Sequence, residues 1–124
     1  MRDQRLWTWQ IAAGGLVLLL LGAHMTVMHL DALVGAFNPA GGRPIDWANV
    51  VARGRTVTFF VGYVLLLGAA LVHGLIGLRG ILLELGPPAD LGRALNGLLL
   101  VAGAGLFVLG TWAAWASFLL SRGS

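Results

Sequence analysis

The chain contains no cysteine and no lysine, and only five acidic residues among its 124 positions. Without cysteine, disulfides, cysteine-ligated zinc and iron–sulfur clusters held by this chain are excluded. Charged residues make up 10% of the sequence, where a soluble domain carries about 25%. Hydrophobic residues reach 58% and the mean hydropathy is +0.86. So little polar surface cannot coat a water-facing globule, and the composition assigns the chain to the membrane. All eight basic residues are arginines, leaving a formal net charge of +3. They stand singly at the ends of apolar segments rather than in a run. That placement fits interfacial anchoring and gives nucleic-acid binding little support.

What the chain does have is three long apolar runs. A transmembrane helix needs about 20 mainly apolar residues, and three segments qualify: Trp7 to Leu30, Val57 to Leu78 and Leu95 to Leu120. The expected class is an all-α membrane protein of three transmembrane helices, one membrane domain over residues 1–124, with no internal repeat and no separate soluble domain. The opening "MRDQRLWTWQ" imitates a signal peptide. The run behind it, Ile11 to Leu30, exceeds a signal core of roughly 7–15 residues and lacks a small-residue cleavage site, so a retained helix is expected. In the first connection, Pro, Gly and Asn mark turns, and "PIDWANVVARG" predicts a short interfacial helix with Trp47 at headgroup level. The second, "ELGPPADLGR", reads as a compact turn in which Asp90 caps the third helix after Pro87-Pro88. Trp7 and Trp9 suit one interface, and Trp112 and Trp115 the far end of the third span. Arg2, Arg5, Arg79 and Arg93 fall on one side, with Arg43, Arg53, Arg55 and Arg122 on the other. Four against four leaves the positive-inside rule silent.

Within the apolar runs the notable ionisable residues are His24, His29 and His73. Ionisable groups in hydrocarbon are functional candidates, because an unpaired polar group there costs several kcal/mol. His29 ends its run and precedes Asp31, which places it at the interface. For His24 and His73 three readings stand. The imidazole bonds a carbonyl on a neighbouring helix; it takes part in a proton relay, although relays normally include intramembrane carboxylates and every acid here lies in a loop or at an end; or it ligates heme iron inside a helix bundle with small residues around it. Gly14, Gly15 and Gly22 flank His24, and Gly68, Gly74 and Gly77 flank His73. They give room for a flat macrocycle or for close helix packing. At 1.5 Å per residue, His24 lies roughly 25 Å from Trp7, and His73 about 9 Å before Arg79, near the same face. The two imidazoles then differ in depth by roughly 15 Å, too far to share one iron within this chain, so each would need a ligand from another subunit.

At these residues the sequence resembles the cytochrome b membrane-anchor subunits of succinate dehydrogenase and fumarate reductase, and the likeness covers nearly the whole chain. "WTWQIAAGGLVLLLLGAHM" looks like the first heme helix of the di-heme anchors, with Trp9-Gln10, a glycine pair and Gly22-xx-Met25 around the histidine. "VHGLIGLRG" looks like their second heme helix. The 49 residues between His24 and His73 suit that arrangement. The resemblance implies that His24 and His73 are each one axial ligand of a different heme b, with the opposite ligands coming from a second membrane-anchor subunit. It implies an iron–sulfur subunit and a flavoprotein subunit held on the membrane, electron transfer between succinate and quinone, and a prokaryotic inner or plasma membrane as location. No bond-making chemistry is expected of this chain alone.

The second run also resembles the smaller anchor of the single-heme enzymes, whose equivalent histidine binds the only heme. In that group an Asp-Tyr pair follows; here the positions read Glu84-Leu85, and the hydroxyl that contacts quinone is missing. By likeness to the di-heme enzymes, Asp46 falls where an acid serves a quinone site. Arg79, Arg53 and Arg55 are candidate partners for heme propionates, since guanidinium binds carboxylate bidentately. Two readings from other classes remain: a heme-free scaffold or assembly protein with hydrogen-bonded histidines, and a small transporter or proton channel.

Overall fold

The computed structural model of the chain describes residues 2–30, 38 and 40–123. Four helices follow in order: α1 (Arg2–His29), α2 (Trp47–Gly54), α3 (Val57–Glu84) and α4 (Ala89–Gly123). No strand occurs among the described residues. Three helices are long and apolar enough to cross a membrane: Gln4–His29, Val57–Glu84 and Ala89–Gly123, with mean hydropathies of 2.0, 2.2 and 1.9. A helix satisfies its own backbone, which hydrocarbon demands of a spanning segment. The protein is a multi-pass all-α membrane protein.

The helices outrun the apolar stretches that announce them. At 28, 28 and 35 residues they measure about 42, 42 and 52 Å, against a hydrocarbon core of about 30 Å. Arg5, Arg79 and Arg93 end the apolar runs without ending the helices, because long charged side chains are good helix formers and reach the headgroup layer. Asp90 is likewise not the cap expected of it. It sits within the first turn of α4 and pairs with Arg93 one turn on, while Pro88 supplies the carbonyl that receives Gly92 N–H at 2.9 Å. A carboxylate there still complements the helix dipole.

The three long helices form a row with α3 in the middle. Toward α4, α3 presents Phe60, Leu67, Leu75 and Leu83. Phe60 meets Trp115 and Phe118 at ring separations of 5.7 and 5.5 Å, and Leu67, Leu75 and Leu83 fill the spaces over Gly110, Gly103 and Gly92. Toward α1 it presents Tyr63, His73 and Gly77. At 3.6 residues per turn these two sets fall on nearly opposite faces of α3. Among the described residues α1 and α4 do not approach each other. The buried apolar side chains are correspondingly few: Ala13, Ala69 and Phe118. Leu18, Leu19, Leu100, Val101 and their neighbours face outward, as they do where lipid is the solvent.

The connection before α3 is tied down by polar groups turned inward. Asn49 is fully buried: its Nδ2 donates to the carbonyls of Gly41 (2.8 Å) and Arg43 (3.0 Å), and its Oδ1 accepts from Ala40 N–H at 3.1 Å. Gly41 and Gly42, both at φ +70°, turn the chain through the left-handed region that other residues avoid. Arg53, one turn after Asn49, is 3% exposed and donates to Asn38 Oδ1 and to Pro44 O at 2.6 Å. Trp47, 78% exposed, faces outward with Ile45 and Val50, so α2 has the amphipathic build expected of an interfacial helix. Thr56 caps α3, accepting from Phe59 N–H at 3.4 Å, and Arg55 Nε donates to Ser121 O at 2.6 Å, fastening the connection to the end of α4.

Candidate functional site

Both deep histidines lie in the seam between α1 and α3. Residues 10, 14 and 24 of α1 stand opposite residues 77, 73 and 63 of α3, a constant antiparallel register. His24 is therefore level with Tyr63, ten residues from His73, which is about 15 Å along the axis. The imidazoles occupy two depths.

His73 is held across the seam. Its Nδ1 lies 3.0 Å from the backbone carbonyl of Gln10 on α1. A carbonyl oxygen only accepts, so Nδ1 carries the proton, and Nε2 of the neutral ring is left with its lone pair free. Gly14 makes the approach possible, since a Cβ there would stand 2.8 Å from Nδ1 and 2.9 Å from Cε1. The residue is exposed on the chain's surface, and Nε2 has no partner among the described residues. This carbonyl bond satisfies half of the ring, as a packing histidine requires. It is also the arrangement that orients a metal-ligating imidazole, whose second nitrogen is fixed by a hydrogen bond.

His24 is half-buried and its ring meets Tyr63 edge-on at 5.8 Å between centroids. Neither ring nitrogen has a hydrogen-bond partner among the described residues. The side chain lines a pocket of about 240 Å³ with Leu20, Val27, Phe59, Gly62 and Tyr63. Tyr63 is a site residue that the sequence reading passed over; its one signal is being the only tyrosine in the chain. His29 bonds its own helix, Nδ1 to Met25 O at 3.0 Å, and is exposed. Asp31, which entered the reading of His29, lies outside the described residues.

The glycines sort differently from their order along the chain. Gly14, sequence neighbour of His24, serves His73, and Gly77 lies against Gln10. Gly68 receives Phe107 of α4, while Gly15, Gly22 and Gly74 have no side chain within 4 Å of where a Cβ would stand.

The remaining candidates sit apart from the histidines. Arg53 is committed to the connection, its guanidinium on Asn38 and Pro44, so it belongs to the folding of that loop rather than to the seam. Arg55 is fastened to Ser121. Asp46 stays within its own turn: Oδ2 accepts from Arg43 N–H at 2.8 Å and Oδ1 is 3.3 Å from Arg43 Nε. Arg79 reaches from α3 to α4, its Nε on Asn96 Oδ1 at 2.8 Å, on a different face of α3 from His73. Among the described residues no three of His, Asp and Glu converge in a way that would cage a bare metal ion. No protein-family model, no curated protein and no solved structure matches the chain.

Proposed function

We propose that the chain is a heme-binding membrane-anchor subunit of a succinate dehydrogenase or fumarate reductase type complex. One observation carries the reading. His73 is exposed on the surface of the chain, its Nε2 has no partner among the described residues, and it lies about 9 Å along the helix from Arg79. A histidine that merely packs would leave that nitrogen unpaired in hydrocarbon, at a cost of several kcal/mol. An axial bond to iron removes the cost. Because no second histidine of the described residues shares its depth, the opposite ligand would come from a second anchor subunit, as the resemblance implies.

Gln10 and Gly14 are positioning residues for this ligand: one fixes the tautomer, the other leaves the ring its place. Heme b, when bound, supplies one-electron transfer between the iron–sulfur subunit and quinone. The chain's own part is to hold the imidazole, exclude water and anchor the flavoprotein and iron–sulfur subunits in a prokaryotic inner or plasma membrane. Burial and the axial imidazole would set the potential of the group. His24, at its separate depth, is the candidate ligand of a second heme. The single-heme reading draws on one specific contrast: among the described residues His24 has no hydrogen bond to fix its tautomer, whereas His73 has.

The test is the reduced-minus-oxidised spectrum of the purified complex, with heme counted per flavin. His73→Ala should abolish a b-type component. His24→Ala should remove one of two components in a di-heme enzyme and leave the spectrum unchanged in a single-heme one. A correctly assembled but colourless wild-type complex would overturn the proposal in favour of a scaffold.

A further inference from the structure

The end of the molecule where α2, α3 and α4 meet carries positive charge that no acidic side chain balances. Arg55, between α2 and α3, is exposed, and its Nε donates to Ser121 O at 2.6 Å. That bond holds the guanidinium by one nitrogen and leaves the two terminal nitrogens without partners among the described residues. Arg122, the next residue of α4, is laid over the Phe118 ring, its Cζ 5.2 Å from the ring centre. Among the described residues neither arginine has an acidic partner. Asp46, the acid of the same connection, is taken by Arg43. Two cations from different elements are thus held on either side of one contact, with their charge unanswered.

Arg55 also borders an apolar hollow. A space of about 290 Å³ is lined by Trp47, Ala48, Val51 and Ala52 of α2 together with Arg55. At 3.6 residues per turn these positions share one face of the helix, turned from the buried Asn49 and Arg53. Apolar along the helix and cationic at its end, this face suits an amphiphile with an anionic head. Its place decides the source. α2 lies at the ends of two membrane-crossing helices, where lipid headgroups are the surroundings, and Trp47 is 78% exposed.

We infer that this end of the molecule binds an anionic phospholipid: its phosphate rests on Arg55 and Arg122, and its glycerol and first acyl carbons fill the hollow beside Trp47. Guanidinium suits phosphate by charge and by its planar fork. The Ser121 carbonyl and the Phe118 ring are positioning groups for the two arginines. The inference is independent of the heme reading, because no histidine lines the hollow.

Native mass spectrometry of the full chain, in detergent and with whatever subunits copurify, tests it. The chain is offered phosphatidylglycerol and phosphatidylcholine with the same acyl chains, the second carrying a choline cation that the arginines repel. One phosphatidylglycerol per chain should be retained, preferred by about tenfold or more, since each arginine is worth about fivefold toward an anionic lipid. Arg122→Gln should cut the preference about fivefold, and Arg122→Lys should keep most of it. Arg93→Gln removes a charge that is paired with Asp90 at the opposite end and should leave the preference unchanged. An equal loss in that variant would reduce the effect to net charge and overturn the inference. Trp47→Ala should lower retention of both lipids, and excess inorganic phosphate should displace neither. Equal retention of the two lipids by the wild-type chain overturns the inference, and that comparison requires no variant to fold. Displacement by free phosphate, or exclusion of the lipid by a copurifying subunit, overturns it as well.

Discussion

A methyl group separates two outcomes at neighbouring positions of α1. A Cβ on Gly14 would press on the His73 imidazole, whereas a Cβ on Gly15 would meet nothing within 4 Å. Gly14→Ala should therefore cost about 1–3 kcal/mol through overpacking and, on the proposed heme reading, lower the heme content by tilting the ring off the Gln10 carbonyl. Gly15→Ala should stay within about 0.5 kcal/mol of the parent and keep the spectrum. Thermal unfolding in lipid nanodiscs, read with the b-type absorbance, checks both. At this scale the sequence exposes the histidines but not their neighbours. An imidazole in an apolar run is conspicuous on its own. Its partner here is a main-chain carbonyl, which every residue owns, and its clearance comes from a glycine 59 positions earlier in the chain. Spacing along a single helix assigned Gly14 to the wrong histidine for that reason.

At the scale of elements, the connection between α1 and α3 is the part least legible beforehand. The short interfacial helix and the outward Trp47 follow from "PIDWANVVARG", but nothing in that stretch announces that Asn49 and Arg53 are buried. Their burial makes sense where the surroundings are lipid headgroups: apolar residues find partners outside, and backbone groups of the tight turns find theirs in the Asn49 amide. Asn49→Ala strands the carbonyls of Gly41 and Arg43 and the amide of Ala40. Three hydrogen bonds to exposed turn residues are lost together, at about 0.5–1.5 kcal/mol for each, and the connection should open locally. Cleavage between residues 40 and 46 by a protease added to the reconstituted protein should accelerate about tenfold or more. Val50→Ala, on the outward face, should leave the rate unchanged. α1 begins, α3 ends and α4 begins several residues beyond its apolar run, because a change in hydropathy marks where hydrocarbon stops, not where hydrogen bonding does. The existence of each helix followed directly from its apolar run.

The whole molecule is a row rather than a closed bundle, and no pattern in the sequence distinguishes the two. Three apolar helices, joined by one long and one short connection, are compatible with either. What selects the row is where the large and small residues of α3 fall: leucines over α4 glycines on one face, His73 beside Gly14 on the other. The absence of native cysteine makes this directly testable. A cysteine pair at Leu67 and Gly110, which touch, should join α3 to α4 with a short thiol crosslinker. A pair at Ala13 and Phe107 should not join α1 to α4, since those helices do not approach each other; efficient crosslinking there would refute the row. The arrangement also orders events during synthesis. Every contact of the histidine seam lies between residues 10 and 77, so a nascent chain still lacking α4 already holds all of them. A chain ending at residue 86 and released from the ribosome should yield an inserted hairpin with His73 seated on Gln10, and α4 should dock as a separate step.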